Sequence, residues 1–436
     1  MDANRSIYPR VLIIYNSRIN KEDQHGVSIR GWFGNWPKEN LAQIYSGGED
    51  GDEVFCKFNF KLGKESRRFG KYFFKLKDSS LGKSSYPIVP KSSNTKIDKP
   101  SLIKNRVSNY FIKTGLWEVI FKPILSVEMN NFIKMFNPEF IYCQGYNLTF
   151  TCLPVIVHNK FKIPICFQTG DDWPSNLYND SFLSFLIKPI VERAVTSLLS
   201  SSSVRLANSS LMAEVYYRRY GKSFEPLMMC DDLGRFRASV PNRVVGKEII
   251  SIVYAGGLGH KRWRSIIDLC EASKLLQVEG YSVIVTAFAT EIPQEAISFL
   301  LRQSNLQILP GPSHEKLPSF LKGADILFLP ESFDPEESNS IKLSLSTKAH
   351  LYMMSEKVIL VYAPRITGTM KYAEEDEWAY NVKENNLSLL SHALRNLIVN
   401  EELRCKLVKK GFEVALQNHD EERVRSRFLT ILKENV

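Results

Sequence analysis

Two short, continuous apolar runs, separated by a polar loop and a helical pattern, constrain this chain more than any other feature. Ile326–Leu329 is too short for a helix and is bounded by Pro330, which is typical of a buried parallel strand. An acidic, Ser-rich loop follows, and a helical pattern begins near Ser346 or Thr347, either of which could cap the helix. Val358–Tyr362 predicts a second strand. Strand, helix and strand form a βαβ unit, which leaves a ligand crevice at the carboxyl ends of its strands.

The length of the chain, 436 residues, exceeds what one hydrophobic core usually supports and predicts two domains. Hydrophobic residues make up 44% of the chain, which is enough for two packed cores. No apolar run approaches the ~18 residues of a membrane-spanning helix, and the N-terminus lacks the apolar segment of a signal peptide. The seven cysteines include no CxxC pair, which favours buried free thiols over disulfides or a zinc site. We therefore expect a cytoplasmic protein.

The net charge of +10 is concentrated in one part of the chain, because residues 57–113 hold 15 basic and 3 acidic residues. Such a segment could contact an anionic membrane surface, a phosphate-bearing acceptor or nucleic acid, and it could equally be a solvated loop. The Lys- and Ser-rich residues 76–101 within it predict a loop or insertion. Because the basic residues are not interleaved with the aromatic motifs of known modules, we expect no nucleic-acid partner.

The first half of the chain has its own strand and loop signals. Arg10–Asn16 predicts the first strand of a Rossmann-like domain. The stretch His25–Gly34 contains three glycines that would let the backbone approach a ligand, although a plain strand-to-helix turn explains it equally well. Tyr110–Phe136 shows helical spacing interrupted by Pro123, which predicts a helix packed on the sheet or, less commonly, one lying on a membrane.

A pair of carboxylates follows the predicted strand Ile163–Phe167. Asp171 and Asp172, followed by Trp173, would lie at the carboxyl end of that strand, where a parallel sheet presents its ligand-binding loops. These three side chains could orient sugar hydroxyls. One of the carboxylates could instead cap the next helix, since aspartate is a favoured N-cap residue.

Glycines followed by basic residues mark the start of the second domain. After the predicted strand Ile249–Tyr254 come Gly256, Gly257 and Gly259, and then Lys261 and Arg262 at the start of a helix. Free backbone N–H groups and local positive charge could cradle a diphosphate. The alternative is a solvated basic first turn, which is unfavourable because cations at a helix N-terminus oppose the helix dipole.

The order of residues in 324–364 resembles the C-terminal half of nucleotide-sugar glycosyltransferases with the GT-B fold, in the large retaining family of group 1 glycosyl transferases. The matching positions are Ala324, Asp325, Leu329, Pro330, Thr347, Lys348, Tyr352, Lys357, Leu360 and Pro364. A second resemblance to that family covers Ala207, Ser209, Met212, Tyr216, Arg219, Tyr220 and Gly221. The chain departs from the family at Leu351, Glu356 and Val358, where the family has Glu, Gly and Pro, and at Gly257, where it has Arg.

The resemblance implies an α/β fold of two Rossmann-like domains facing across a cleft, with a C-terminal helix that crosses back to the first domain. The expected limits are 1–242 for an acceptor-side domain, 243–418 for a nucleotide-sugar-binding domain and 419–436 for the crossover helix. The resemblance implies transfer of a sugar from a UDP- or GDP-sugar to a glycan or lipid-linked glycan, with retention of the sugar's configuration. It also implies a role in bacterial surface-polysaccharide synthesis at the inner face of the membrane.

The resemblance also implies roles for particular residues, with no metal and no further cofactor. The catalytic candidates are Lys348, Arg262, Lys261, Asp171 and Asp172. The donor-binding candidates are Gly256, Gly257, Gly259, His314, Glu331, Ser346 and Thr347. The acceptor-binding candidates are His25, Gly26, Arg30 and Trp173.

Leu351 removes the glutamate that usually holds the donor ribose in this family, and that role could shift to Glu331, Glu336 or Glu337. The loss also leaves two other hypotheses open. The chain could be a GT-B scaffold that acts as a non-catalytic binding or partner subunit, or a nucleotide-sugar epimerase of the same fold.

Overall fold

The computed structural model describes residues 7–19, 24–48, 55–70, 114–179 and 183–435. The chain divides into two compact units, Met1–Leu227 with Arg425–Val436, and Met228–Val424. The predicted loop 76–101 lies outside the described residues. The sequence-based domain limits of 1–242, 243–418 and 419–436 remain predictions.

The first unit is built on a parallel sheet of seven strands in the order β3-β2-β1-β4-β5-β6-β7. The strands are β1 Val11–Ile14, β2 Leu41–Tyr45, β3 Phe58–Lys61, β4 Phe140–Cys143, β5 Ile165–Thr169, β6 Ser202–Ala207 and β7 Glu225–Pro226. The central strands β1, β4 and β5 are buried along their whole length, which explains why they appear in the sequence as continuous apolar runs. Asp171 and Asp172 follow the carboxyl end of β5.

Helices connect these strands. Those of the described residues are α1 Gln24–Trp32, α2 Leu116–Ile120, α3 Val127–Phe136, α4 Leu148–Phe161, α5 Trp173–Asn176, α6 Ser184–Ser201 and α7 Ser210–Tyr220. The predicted helix Tyr110–Phe136 is divided around Pro123 into α2 and α3. Ser126 caps α3 by accepting a hydrogen bond from the amide of Met129, and α3 buries Met129, Ile133 and Phe136. Its apolar face is therefore packed into the core of the first unit.

Helix α1 corrects the expectation of a glycine-containing loop. The residues His25, Gly26 and Arg30 lie on a helix, because the stretch that contains them folds as Gln24–Trp32. Tertiary packing overrides the low helix propensity of glycine here. Trp32, at the end of α1, and the following Phe33 are buried, and the Phe33 ring centre lies 5.1 Å from that of Tyr142 in β4.

The second unit contains a parallel sheet of six strands in the order β10-β9-β8-β11-β12-β13. The strands are β8 Ile250–Ala255, β9 Val283–Ala289, β10 Leu306–Pro310, β11 Ile326–Pro330, β12 Val358–Tyr362 and β13 Tyr380–Val382. The order of strands along the chain reverses between β8 and β11. Ligands of open α/β sheets bind at the carboxyl ends of the strands beside such a reversal.

Helices cover both faces of the second sheet. They are α8 Leu233–Ala238, α9 Arg262–Val278, α10 Gln294–Leu300, α11 Leu317–Lys322, α12 Pro335–Ser340, α13 Ala349–Met354, α14 Gly368–Glu375, α15 Leu387–Val399 and α16 Glu401–Asn418. Successive residues of β11 enter different cores: Ile326 and Phe328 belong to one, and Leu327 and Leu329 to the other. The predicted βαβ unit is thus present, with both strands buried on two faces.

The predicted cap of α13 is wrong. Lys348 occupies the N-cap position, and no side chain caps the helix. The amide of Ser346 donates to Thr369 Oγ1 at 2.9 Å, and the carbonyl of Ser346 accepts from the amide of Ala349 at 3.0 Å. A main-chain turn therefore provides the hydrogen-bond acceptor for the first amide of α13. The sequence had favoured a side-chain hydroxyl of Ser346 or Thr347 for that role.

The last helix, α17 Glu421–Lys433, returns to the first unit from Arg425 onward. Arg425 Nε donates to the carbonyl of Gly31 at 2.6 Å, and the Phe428 ring centre lies 5.0 Å from that of Phe33. The seven cysteines all lie among the described residues and form no disulfide. Among the helices of the described residues, none combines the length and the apolar character that spanning a bilayer requires.

Candidate functional site

The side chain of Lys348 crosses the turn that follows β8. A Cβ atom placed on Gly256 would lie 2.0 Å from Lys348 Cε, and Gly256 has a φ of +151°. The Lys348 Nζ lies 5.6 Å from the centre of the Tyr254 ring. Gly256 is therefore required twice, by its backbone conformation and by the close passage of the lysine. This contact brings together two stretches that the sequence analysis selected independently.

Lys348 is held in an environment that disfavours its charge. Burial, together with the nearby Arg262 guanidinium, lowers the pKa of Lys348 to about 8, although the Glu331 carboxylate acts in the opposite direction. Among the described residues, none forms a hydrogen bond with the Lys348 ammonium group. A desolvated ammonium with unused donors gains strongly from an arriving anion.

Arg262 is fixed beside it by a buried ion pair. Its Nε donates to Glu331 Oε2 at 2.7 Å, and the side chains are 16% and 3% exposed. Within the part of the chain that the structure describes, the two terminal nitrogens of Arg262 form no hydrogen bond. The guanidinium is thus oriented by Glu331 while two of its nitrogens remain available to a ligand.

Two further side-chain contacts join the same pair of segments. Residues 331–337, which we call the acidic loop, comprise the loop after β11 and the first turn of α12. Lys261 Nζ lies 2.6 Å from Asp334 Oδ2, and His260 Nδ1 lies 2.8 Å from Glu337 Oε2. Three consecutive residues at the start of α9 are therefore matched with acidic side chains of one loop. Glu331 and Glu337 are both used in this way, and Glu336 is exposed.

Two backbone amides of the glycine turn after β8 are already hydrogen-bonded within the protein. The amide of Gly256 donates to the carbonyl of Phe288 and that of Leu258 to the carbonyl of Glu291, both at 2.9 Å. A Cβ on Gly257 would meet only ordinary contacts, and one on Gly259 would meet nothing within 4 Å. Gly256 is consequently the glycine of this turn that the structure requires.

His314 has partners that the sequence analysis did not identify. Arg235 Nη1 donates to the carbonyl of His314 at 2.6 Å, and Arg235 Nη2 donates to Asp231 Oδ2 at 2.7 Å. His314 Nε2 lies 3.3 Å from the same carboxylate oxygen. His314 is 48% exposed on its side chain, so the cluster leaves one face of the ring in solvent. Asp231 and Arg235 were missed because they lie 83 and 79 residues from His314 in the chain.

The two carboxylates of the first unit have separate structural partners. Asp172 is buried and accepts hydrogen bonds from Arg219 Nη1 at 2.6 Å and Nη2 at 3.0 Å. The Tyr216 hydroxyl donates to the same carboxylate at 3.1 Å. Asp171 Oδ1 accepts from the amide of Trp173 at 3.0 Å, as a residue at a helix start does. Their chemical role remains a prediction.

The remaining candidates of the first unit are Trp173, Arg30, His25 and Gly26, and Trp173 is deeply buried. Trp173 is 6% exposed, and its ring lies where a Cβ on Gly145 would stand, 2.4 Å from the ring atom Cζ2. The Arg30 guanidinium lies 5.1 Å from the centre of the Phe55 ring. His25 and Gly26 lie on α1. No group of three or more metal-binding side chains occurs among the described residues.

No family model matches this chain, and no curated protein matches it in sequence. Solved structures share its architecture. The sucrose-phosphate synthase of Thermosynechococcus elongatus has a TM-score of 0.62 and 11% identity, with 98% of each chain covered. Anabaena HepE in complex with UDP also has a TM-score of 0.62 and 11% identity, covering 98% of this chain and 100% of the other.

A third structure, described as trehalose-6-phosphate from E. coli bound with UDP-2-fluoro glucose, has a TM-score of 0.61 and 12% identity, covering 98% of this chain and 99% of that one. The chain has the GT-B fold. The two-domain α/β architecture expected from the sequence is therefore confirmed. At these identities the likeness concerns the GT-B fold alone, and activity has to be argued from the side chains.

Leu351 is the clearest departure of this GT-B chain from the resemblance described above. Its side chain is partly buried and packs against the apolar core that contains Leu327 and Tyr352. An apolar side chain in this position accepts no hydrogen bond from a ribose hydroxyl.

Proposed function

We propose that this protein transfers a sugar from a nucleotide-sugar donor to a glycan or lipid-linked glycan acceptor during bacterial surface-polysaccharide synthesis. The supporting observation is the meeting of Lys348, Gly256 and Arg262 at the carboxyl ends of β8 and β11. Solved structures of the same fold carry UDP or a UDP-sugar analogue, which favours UDP over GDP as the first donor nucleotide to test.

Lys348 and Arg262 would act on the leaving diphosphate. As the bond between sugar and phosphate breaks, negative charge develops on the diphosphate, and preorganised cations stabilise it most. Lys348 contributes an ammonium with unused donors, and Arg262 contributes two guanidinium nitrogens beside it. Lys261 would add a third, more exposed charge. We propose that these cations serve the role for which other transferases use a metal ion, and that the configuration of the sugar is retained.

The acceptor would bind through the first unit. We propose His25, Gly26, Arg30 and Trp173, together with Asp171 and Asp172, as residues of the acceptor side. The basic residues of 57–113 would attract a lipid-linked acceptor to the anionic inner face of the membrane. Ser346, Thr347, His314 and Glu331 complete the proposed donor side.

A thermal-shift screen against UDP-, GDP-, CDP- and ADP-sugars tests the donor site directly. A bound nucleotide stabilises the folded state by an amount that depends on its concentration relative to its dissociation constant. We expect one nucleotide to raise the melting temperature of the wild type, and Lys348→Ala to abolish most of that rise. Lys409→Ala, which removes a positive charge from the exposed side of α16, should keep the full response.

Enzymatic hydrolysis separates the transferase from the two alternatives. Slow release of free sugar and nucleotide from the matching nucleotide sugar supports transfer, because water then replaces the acceptor. A non-catalytic subunit would bind the nucleotide and leave the sugar bond intact, and an epimerase would yield an altered sugar in the absence of any acceptor. The absence of a nucleotide response in the wild type would contradict the donor site itself.

A further inference from the structure

A separate cavity lies beside the acidic loop. It has a volume of about 210 Å³ and is lined by Arg264, Asp268, Phe333, Asp334 and Asn385 among other residues. Pockets that enclose drug-sized ligands measure roughly 300–1,000 Å³. The cavity is therefore too small for a nucleotide and suited to a ligand of one ring. All of these lining residues belong to the second unit.

The floor of the cavity is a fixed polar arrangement. The Tyr362 oxygen lies 3.2 Å from Asp268 Oδ2 and 3.0 Å from the Asn385 amide oxygen, and its single hydrogen can be donated to one of them at a time. Both side chains are therefore held against Tyr362. Among the described residues, none hydrogen-bonds to the second oxygen of Asp268. A carboxylate oxygen and one polar atom of an amide thus remain for a ligand.

An aromatic wall completes the cavity. The Phe333 ring packs against the Tyr362 ring with centres 4.6 Å apart, so its position is fixed from below. Arg264 stands on the first turn of α9, where its guanidinium lies 5.2 Å from the centre of the Trp263 ring. Within the described part of the chain, Arg264 forms no ion pair. The cavity therefore combines a carboxylate acceptor, an amide group, a cationic donor and the surface of an aromatic ring.

We propose that this cavity binds a single pyranose ring, free or at the end of a glycan, as a second carbohydrate site apart from the proposed donor site. Vicinal hydroxyls of a sugar are both donors and acceptors, which matches the pairing of Asp268 with Asn385. The C–H face of the ring matches Phe333. A phosphate or nucleotide fits poorly, because Asp268 and Asp334 place two carboxylates in the wall.

The proposal does not depend on sugar transfer. The wall that separates the two sites is the acidic loop, and its side chains point to both. Asp334 lines the cavity and also pairs with Lys261, whereas Phe333 contributes only to the cavity. The groups proposed to hold the diphosphate, Lys348 and Arg262, are absent from the cavity lining. Variants can therefore disturb one site and leave the other intact.

The test is ligand-observed saturation-transfer NMR on the full chain with the methyl glycosides of glucose, galactose, mannose and N-acetylglucosamine. We expect at least one to receive saturation, and UDP at saturating concentration to leave that signal in place. Asp268→Asn and Asn385→Ala should each weaken binding by roughly tenfold, as expected for loss of a hydrogen bond in a partly buried site. Lys348→Ala should retain sugar binding while losing the nucleotide response.

Asp376→Asn is the matched control. Asp376 is another partly buried carboxyl of the second unit, and burial raises its pKa as it raises that of Asp268. It should bind the glycoside like the wild type. Melting curves establish that each variant is folded, and Phe333→Leu replaces any variant that is not. The proposal is overturned if no glycoside binds, if UDP displaces the bound glycoside, or if the folded cavity variants bind as tightly as the control.

Discussion

Lys348 Cε would lie 2.0 Å from a Cβ atom on Gly256, so the lysine side chain passes through the space that any other residue would fill. The two residues are 92 positions apart in the chain. Their contact joins the turn after β8 to the start of α13, and it places an ammonium group at the carboxyl ends of two neighbouring strands. The geometry of the proposed donor site depends on it.

Replacement of Gly256 by alanine should therefore damage both stability and nucleotide binding. An alanine would be strained at the positive φ of +151° and would displace the Lys348 side chain. Together these effects should lower the free energy of unfolding by about 1–3 kcal/mol. Urea unfolding and a nucleotide thermal shift measure the two effects. Gly259→Ala is the control, because a Cβ there meets nothing within 4 Å, and it should unfold like the wild type. Equal behaviour of the two variants would contradict the assigned role of Gly256.

Nucleotide binding should weaken as the pH rises through about 8, where the Lys348 ammonium loses its proton. The stability of the folded protein changes with pH in the opposite direction. Burial favours the neutral amine in the folded state, so the unfolded chain binds more protons between pH about 8 and 10.5, and Lys348 makes stability rise with pH in that window. Calorimetric titration with UDP from pH 7 to about pH 9.5 measures how the affinity for the nucleotide falls. Lys348→Arg should flatten the profile, because arginine stays charged; an unchanged profile would refute the assignment.

Loss of Arg262 alone should be costly, because it leaves the Glu331 carboxylate buried without its partner. We expect Arg262→Met to lower the free energy of unfolding by about 3–5 kcal/mol. The double variant Arg262→Met with Glu331→Gln should recover part of the loss, giving a coupling energy of about 1–3 kcal/mol in a double-mutant cycle of urea unfolding. Additive effects of the two substitutions would show that the ion pair is not formed in solution.

We expect the Asp172–Arg219 pair to stabilise the fold. Asp172→Asn should reduce the free energy of unfolding by about 3 kcal/mol, since it leaves Arg219 and Tyr216 facing an amide in a buried site. The neighbouring pair Glu214–Arg218 on α7 is exposed, with side chains 55% and 73% exposed, and provides the comparison. Glu214→Gln should change stability by less than about 0.5 kcal/mol. If Asp172→Asn were equally mild, a purely functional role for Asp172 would gain support.

Much of the second sheet could be predicted from the sequence. The predicted strand Val358–Tyr362 has the observed limits, Ile326–Leu329 is one residue short of β11, and Ile249–Tyr254 is displaced by one residue from β8. Parallel strands buried on both faces must be apolar without interruption, so their limits are visible as runs. The predicted strand Arg10–Asn16 of the first unit contains β1 for the same reason.

The arrangement of the site could be predicted only in part. Lys348 and Arg262 were selected individually, but the partner of Arg262 is Glu331, 69 residues away, and no local pattern links the two. For His25–Gly34 the sequence left a ligand-approaching loop and a strand-to-helix turn equally open, and it did not show the helix that buried Trp32 stabilises. Side-chain pairing between distant segments is set by the packing of the sheet, which a single sequence does not reveal.

The ion pairs that Lys261 and Arg262 form with the acidic loop also bear on the response to ionic strength. Each of these positive charges already faces an acid of the same chain at 2.6–2.7 Å, so bulk counter-ions contribute little to neutralising it. A diphosphate bound by the terminal nitrogens of Arg262 should therefore release few ions from solution. Nucleotide affinity should accordingly vary with added salt far less than it would for a bare patch of two cations.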